Sequence, residues 1–377
     1  MVLKINHNEL RELLKEYYKK KLSLFVIGGF GIGKSFVIRD TAREIAENRA
    51  REFIEWNKIS QKKKQEVYEY PEKYFVFIDE RLAEEEPTDI KGLPSFKENT
   101  DVLNWRMPFW CKLLTQENSD GFLFFDEINL APPLVQSAVY KIIYDRVIGE
   151  EKIGNNWLVL GAGNRDEDRA FTHTIPYPLR DRGGEVELIT PSVENWTEWA
   201  IPQGIDSRII GFVNFKPSCL YAINFDDNQK QTTTRGWERL NTLIKERKID
   251  DTFKLLCCSA IGEGIAREFI AFCELQDKFN IEEIIKNPKK LKEIDDISIK
   301  YLLLSSVAER YAKKEKGIDF EKIMEISEVL DACGNAEFVA LLWKLGCVYT
   351  KDSGLFKNDF MKYPKLDLIS KYGKYIK

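Results

Sequence analysis

Between an apolar run, Leu22 to Ile27, and a helix-like segment, Phe36 to Glu47, lies the stretch Gly28-Gly29-Phe30-Gly31-Ile32-Gly33-Lys34-Ser35. Its pattern is Gly, four residues, then Gly-Lys-Ser. That is a phosphate-binding loop, placed where its mechanism needs it, between a strand end and a helix start. Glycines let backbone N–H groups close around phosphates without Cβ clashes. Lys34 is the residue expected to reach the β- and γ-phosphates, and the Ser35 hydroxyl to ligate Mg²⁺. With Phe36 opening the helix, Gly28 to Phe36 form the candidate nucleotide-binding set. The competing reading is a plain glycine-rich strand–helix connection. Gly-Lys-Ser in register, with strand and helix both in place, weighs against it.

Four further apolar runs read as buried strands: Tyr74–Ile78, Gly121–Phe125, Trp157–Ala162 and Glu185–Ile189. Helical stretches separate most of them. Strands alternating with helices imply an α/β sandwich, a five-stranded parallel sheet covered on both faces. Asn8 to Lys20 reads as an amphipathic helix, with Leu10, Leu13, Leu14, Tyr17 and Tyr18 on one face. Residues from about Asn48 to Glu72 are highly charged and read as a solvated helical insertion. Glutamates interleave Lys62-Lys63-Lys64, which argues against a nucleic-acid patch. From Arg235 onward strand signals mostly vanish, and Arg235–Glu246, Phe253–Ala260, Gly264–Leu275, Ile297–Lys313 and Phe320–Ala332 read as helices. The expected organisation is a nucleotide-binding domain over 1–220, a helical lid over 221–280 and a helical extension over 281–377.

A phosphate loop needs a partner carboxylate at the end of a second strand. That Asp holds Mg²⁺ through water, and a following Glu can deprotonate the attacking water. Asp79-Glu80, after Tyr74–Ile78, and Asp126-Glu127, after Gly121–Phe125, both fit. Spacing alone leaves the choice open. Context favours the second pair, because Pro133 suits the first turn of a helix that follows it.

At this point the chain resembles a family. Asp126-Glu127-Ile128-Asn129-Leu130-Ala131-Pro132-Pro133-Leu134-Val135-Gln136-Ser137-Ala138 looks like the Walker B region of MoxR-type AAA+ ATPases. Asp89-Ile90-Lys91-Gly92-Leu93-Pro94 resembles a segment of the same family's helix-2 insertion region. The resemblance therefore assigns Asp79-Glu80 to a non-catalytic strand end. It continues through Asp145–Glu150, similar to the pre-sensor-1 hairpin, and through Trp157–Arg165, which puts Asn164 at the sensor-1 position. Ile175–Gly184 is similar to the family's arginine-finger segment. Arg182 aligns with the finger and Arg180 is the fallback; Gly183 stands where the family has an aromatic residue. Thr233–Leu240 resembles the start of the sensor-2 helix, with Arg235 at the sensor position and Thr234 in place of a proline. The paired Trp196 and Trp199 read as core packing.

The resemblance covers about residues 8 to 275 and leaves 276–377 unassigned. It implies an AAA+ αβα sandwich that hydrolyses ATP with Mg²⁺. Ser35 and Asp126 would hold the metal, Glu127 would be the base, and Asn164, Arg182 and Arg235 would assist. It also implies a homo-hexameric ring, a von Willebrand factor A-domain partner and a protein substrate to remodel. A DNA-acting AAA+ motor and a nucleotide-gated scaffold with little turnover are the alternatives.

Composition bounds these readings. The chain has 377 residues, 44% hydrophobic and 31% charged, the balance of a globular protein. No apolar run approaches the roughly 18 residues a membrane span needs. A net charge of −4 gives no global attraction to nucleic acid. Seven cysteines, none in a Cys-x-x-Cys pair, suit reduced thiols and a cytoplasmic setting. With only two histidines, His7 and His173, a His-based metal site or a Ser-His-Asp triad has little to build on.

Overall fold

The computed structural model describes residues 2–96, 103–165, 183–224, 230–275, 279–363 and 366–375. They fall into two compact units, Met1–Thr190 and Pro191–Lys377. The division comes after Thr190 and not near residue 220. The helices Val193–Ala200 and Ser207–Phe215 share one apolar core with the helices that follow them.

The first unit is built on β1 (Leu3–Ile5), β2 (Leu24–Gly28), β3 (Glu52–Glu55) and β4 (Tyr74–Arg81). A hairpin of β5 (Leu93–Phe96) and β6 (Leu103–Arg106) follows, then β7 (Gly121–Asp126). A second hairpin, β8 (Val147–Ile148) and β9 (Glu151–Lys152), precedes β10 (Trp157–Gly163) and β11 (Gly184–Leu188). Seven of these strands form one sheet in the order β1-β11-β2-β10-β7-β4-β3, with every pair parallel. Its helices include α1 (His7–Lys20), α2 (Lys34–Asn48), α3 (Gln61–Glu69), α4 (Pro87–Lys91), α5 (Phe109–Leu114) and α6 (Pro133–Asp145).

The αβα sandwich is present, with seven strands where five were expected. The five expected strands are its interior, and the reason is burial. Leu123, Phe124 and Phe125 of β7 and Leu158, Val159 and Leu160 of β10 are all fully buried, so both faces of these strands need apolar residues. Tyr18 of α1 meets Phe75 and Phe122 at ring-centroid distances of 5.8 Å each. That contact seats the amphipathic helix on the sheet. The two added strands are edges. β3 lies inside the segment expected to be a helical insertion. That segment is in fact a strand, a 3-10 turn, the helix α3 and the start of a second 3-10 turn. Its Ile54 is buried while Glu52 is exposed and Phe53 and Glu55 are half-buried, so the strand is only partly covered, as an edge strand is.

The second unit is helical. Trp237 and Trp343 are fully buried and donate their indole N–H groups to Cys219 O (3.0 Å) and Ser327 Oγ (2.9 Å). Trp196 and Trp199 pack in the same core, their rings 6.3 Å apart. All seven cysteines are free. Among the described residues no helix is long and apolar enough to cross a membrane.

Candidate functional site

The site lies at the carboxyl ends of β2, β7 and β10, where open parallel sheets place ligands. β2 runs directly into the loop 28–35, and α2 starts at Lys34. Gly33 is the residue that precedes the helix, with φ +94°, and Gly31 has φ +69°. Both are left-handed positions that a residue with a Cβ adopts only at a cost. Gly33 brings no capping side chain, and the first turn of α2 carries no acid. The N-terminus of α2, the positive end of the helix dipole, therefore faces the loop, the arrangement that attracts an anion.

Lys34 is buried, 8% exposed. Its ammonium donates to Gly28 O (2.7 Å), Gly29 O (2.9 Å) and Asn164 Oδ1 (3.1 Å). Ser35 Oγ donates to Asp126 Oδ2 at 2.7 Å. Residues far apart in sequence thus meet: the loop, Asp126 at the end of β7, and Asn164 just past β10. Ser35 and Asp126 offer two hard oxygen donors side by side, a set that suits Mg²⁺. Bound there, the metal would neutralise phosphate charge.

Glu127 follows at φ +56°, a left-handed conformation for a residue that is not glycine. Three hydrogen bonds hold it there. Its N–H donates to Asp126 Oδ1 (2.9 Å), Leu130 N–H donates to its carbonyl (2.8 Å), and Ile128 N–H donates to Ala162 O (2.9 Å). The turn swings the Glu127 side chain out of the line of β7, and the residue is half-buried.

The rival pair sits on β4, the neighbour of β7. Asp79 is pushed up to about 6, first by burial and then by the nearby Asp126 charge. Its Oδ1 is buried with no hydrogen-bond partner among the described residues. Glu80 is pushed up to about 7 by burial, with a further contribution from Glu85. Neither makes a hydrogen bond to the loop of the kind Asp126 makes to Ser35.

Two residues at the site carried no assigned role in the sequence reading. His7 Nε2 lies 2.7 Å from Ile32 O, within the loop. Burial lowers its pKa, so the ring is neutral and donates through Nε2 to that carbonyl. Asn129, 2% exposed, exchanges two hydrogen bonds with the backbone of Asn164. Its place in the Walker B-like run was a signal, but its partner, 35 residues on, was not legible.

Of the remaining candidates, Arg182 and its fallback Arg180 lie outside the described residues. Arg235 is exposed in the first turn of the helix Thr234–Ile244 in the second unit, and that helix is capped by Thr233. Asp89–Pro94 form α4 and the start of the β5–β6 hairpin, and residues 147–152 form the β8–β9 hairpin.

Fold and loop together define an αβα domain of the phosphate-loop type. No protein-family model and no curated protein matches the chain. Solved structures similar to it include PCH-2 of C. elegans, at 13% identity and TM-score 0.29, covering 79% of this chain and 66% of that one. A closed state of Hsp104 matches at 12% identity and TM-score 0.32, covering 53% and 36%. Cdc6p of Pyrobaculum aerophilum matches at 12% and 0.37, covering 94% and 93%. The chain thus spans 66% and 36% of the length of the first two. Similarities this low carry no argument about activity.

Proposed function

We propose that the chain is an ATPase of the MoxR type within the AAA+ class. The observation that carries this reading is the meeting of Lys34, Ser35, Asp126 and Asn164 at one end of the sheet. Lys34 would hold the β- and γ-phosphates against the N-terminus of α2. Ser35 and Asp126 would hold Mg²⁺. Glu127 would take a proton from the attacking water as its oxygen bonds to the γ-phosphorus and the bond to the β-bridging oxygen breaks, giving ADP and phosphate. Asn164 would orient that water. Positioning and electrostatics would supply most of the rate.

The same reading makes the protein a cytoplasmic homo-hexameric ring that remodels a protein substrate with a von Willebrand factor A-domain partner. Arg182 would reach the neighbouring subunit's site. Residues 221–280 would act as a lid that brings Arg235 to the nucleotide, and 281–377 as a helical extension.

Steady-state phosphate release tests the core of the reading. Glu127→Gln should bind ATP yet hydrolyse it at least roughly a hundredfold more slowly, because an amide takes no proton. Glu80→Gln should leave turnover within a few-fold of the parent. The reverse pattern would move the base to β4. Activity per chain should rise with protein concentration if Arg182 acts between subunits. Salt-dependent binding of a random DNA duplex would favour the motor alternative.

A further inference from the structure

The parallel ladder between β7 and β10 ends at Phe125 and Gly161. Beyond that point the backbone of β10 needs other partners, because its amides and carbonyls stay largely buried. Ile128 N–H takes Ala162 O at 2.9 Å. Two residues further on, the partner is a side chain. Asn129 Nδ2 donates to Asn164 O at 2.7 Å, and Asn164 N–H donates to Asn129 Oδ1 at 3.1 Å. A backbone N–H can only donate and a carbonyl can only accept, so these partners fix which way the Asn129 amide points. The amide therefore acts as an extra peptide unit paired to the end of β10.

Gly163 makes room for it. A Cβ there would lie 2.9 Å from Asn129 Oδ1. The clamp belongs to the same tight turn that holds Glu127 left-handed, closed by Leu130 N–H to Glu127 O at 2.8 Å. On its other side Asn164 accepts from Lys34 at 3.1 Å.

We propose that Asn129 is a positioning residue that ties Asn164 to the turn carrying Glu127, so that the group facing Lys34 and the base move as one body. The proposal rests on the ATPase reading above. Asn129 touches neither phosphate nor water itself; it acts through Asn164 and Glu127. A loose clamp would misplace both, and misplacement by about 1 Å can cost up to about a hundredfold in rate.

The test is a double-mutant cycle on kcat, with ATP and ADP affinity followed by a fluorescent nucleotide analogue. Asn129→Ala is expected to lower kcat roughly tenfold while ATP affinity stays within about threefold, since Lys34 and the loop are untouched. Combined with Asn164→Ala it should lose clearly less than the product of the two single effects, because the part of the Asn129 effect that runs through the Asn164 side chain is already gone, while the backbone clamp on the Glu127 turn is still there to lose. Multiplying effects, or an unchanged kcat in Asn129→Ala, would overturn the proposal. Should Asn129→Ala fail to fold, Gly163→Ala keeps every polar atom and presses most closely on the Asn129 amide, with Ile27 Cδ1 next at 3.3 Å. It should slow turnover with ATP affinity retained, and parental turnover there would equally overturn the proposal. Glu127→Gln separates the two levels of inference. If it hydrolyses like the parent, the ATPase reading fails. If it and Asn164→Ala are slow but Asn129→Ala is not, only the clamp fails.

Discussion

Where β7 begins, Asp120 is fully buried among opposite charges, although burial still raises its pKa and its Oδ2 makes no hydrogen bond among the described residues. Tyr18 OH donates to Oδ1 at 2.6 Å, and Arg49 Nε and Arg51 Nη1 lie 3.0 and 3.3 Å from Oδ2. Where β7 ends, Asp126 and its surroundings are of similar chemistry but differently arranged. The Lys34 contacts include three neutral oxygens. Asp79 Oδ1 is buried without a hydrogen bond among the described residues, and Glu127 sits left-handed. One end of the strand closes its charges upon one another and joins α1 and the end of α2 to the sheet. The other holds cation, carboxylates and a helix N-terminus close together, in a form that an incoming anion and its metal would complete. Polar burial at the first end serves the fold. At the second it costs stability and concentrates function, the trade expected of active sites.

The largest effect should come from the closed end. Asp120→Ala leaves two arginines and a tyrosine hydroxyl facing a vacated carboxylate site. Breaking such a buried pair costs about 3 kcal/mol. Denaturant unfolding should show that loss, while the folded fraction keeps its ATP affinity. A loss below about 1 kcal/mol would mean that the network is solvated, and the contrast between the two ends would fall.

Next comes the open end. Lys34→Ala removes the loop's fixed charge, and ATP affinity should drop at least roughly a hundredfold, about 2.7 kcal/mol. Its unfolding midpoint without nucleotide should hold or rise, because a buried cation has been removed. Near-parental affinity would remove the phosphate-loop assignment itself.

Glu80 sharpens the comparison. It is 9% exposed, with no ion pair like those of Asp120 among the described residues, and burial pushes it up to about 7 from 4.5. The folded state therefore holds the proton more tightly than the unfolded chain. The linked stability is fully present below pH 4.5 and is lost as pH rises through 7. Glu80→Gln should stabilise the protein at pH 8, by on the order of 2 kcal/mol, and change little at pH 4.5. Thermal melts at the two pH values test the sign. Equal shifts at both would mean that packing, not ionisation, sets the effect.

The sequence made one of these ends readable and left the other hidden. The site end is carried by local patterns: a glycine loop after an apolar run, and an acidic pair after another. The interior strands were legible for the same reason, since burial on both faces leaves continuous runs such as Phe122 to Phe125. β1 and β3 were not, because an edge of three or four residues with charged members gives no run to detect. No local pattern marks Asp120, because its partners lie far off in sequence at Tyr18, Arg49 and Arg51. The left-handed Glu127 and the Asn129 clamp depend on where β10 ends against β7, a fact of register with no local signature.

The smallest expected effect concerns His7, which could belong to either end's logic. The sequence treated it only as one of two histidines. It stands in the first turn of α1, beyond a capping box formed by Asn6 and Glu9. Its Nε2 donates to Ile32 O at 2.7 Å, and its Nδ1 is buried without a partner among the described residues. If that bond holds the loop's shape for a phosphate, His7→Ala should raise the KM for ATP by roughly tenfold, about 1.4 kcal/mol, with kcat changed far less. His7→Gln, which can still donate to the carbonyl, should recover part of the loss. The ring's pKa is lowered by burial, so its contribution to stability is present above pH 6.5 and is lost as the pH falls below it. Parental KM in His7→Ala, with a melting temperature lowered more at pH 7.5 than at pH 5.5, would show a packing residue, and the open end would stop at Gly33.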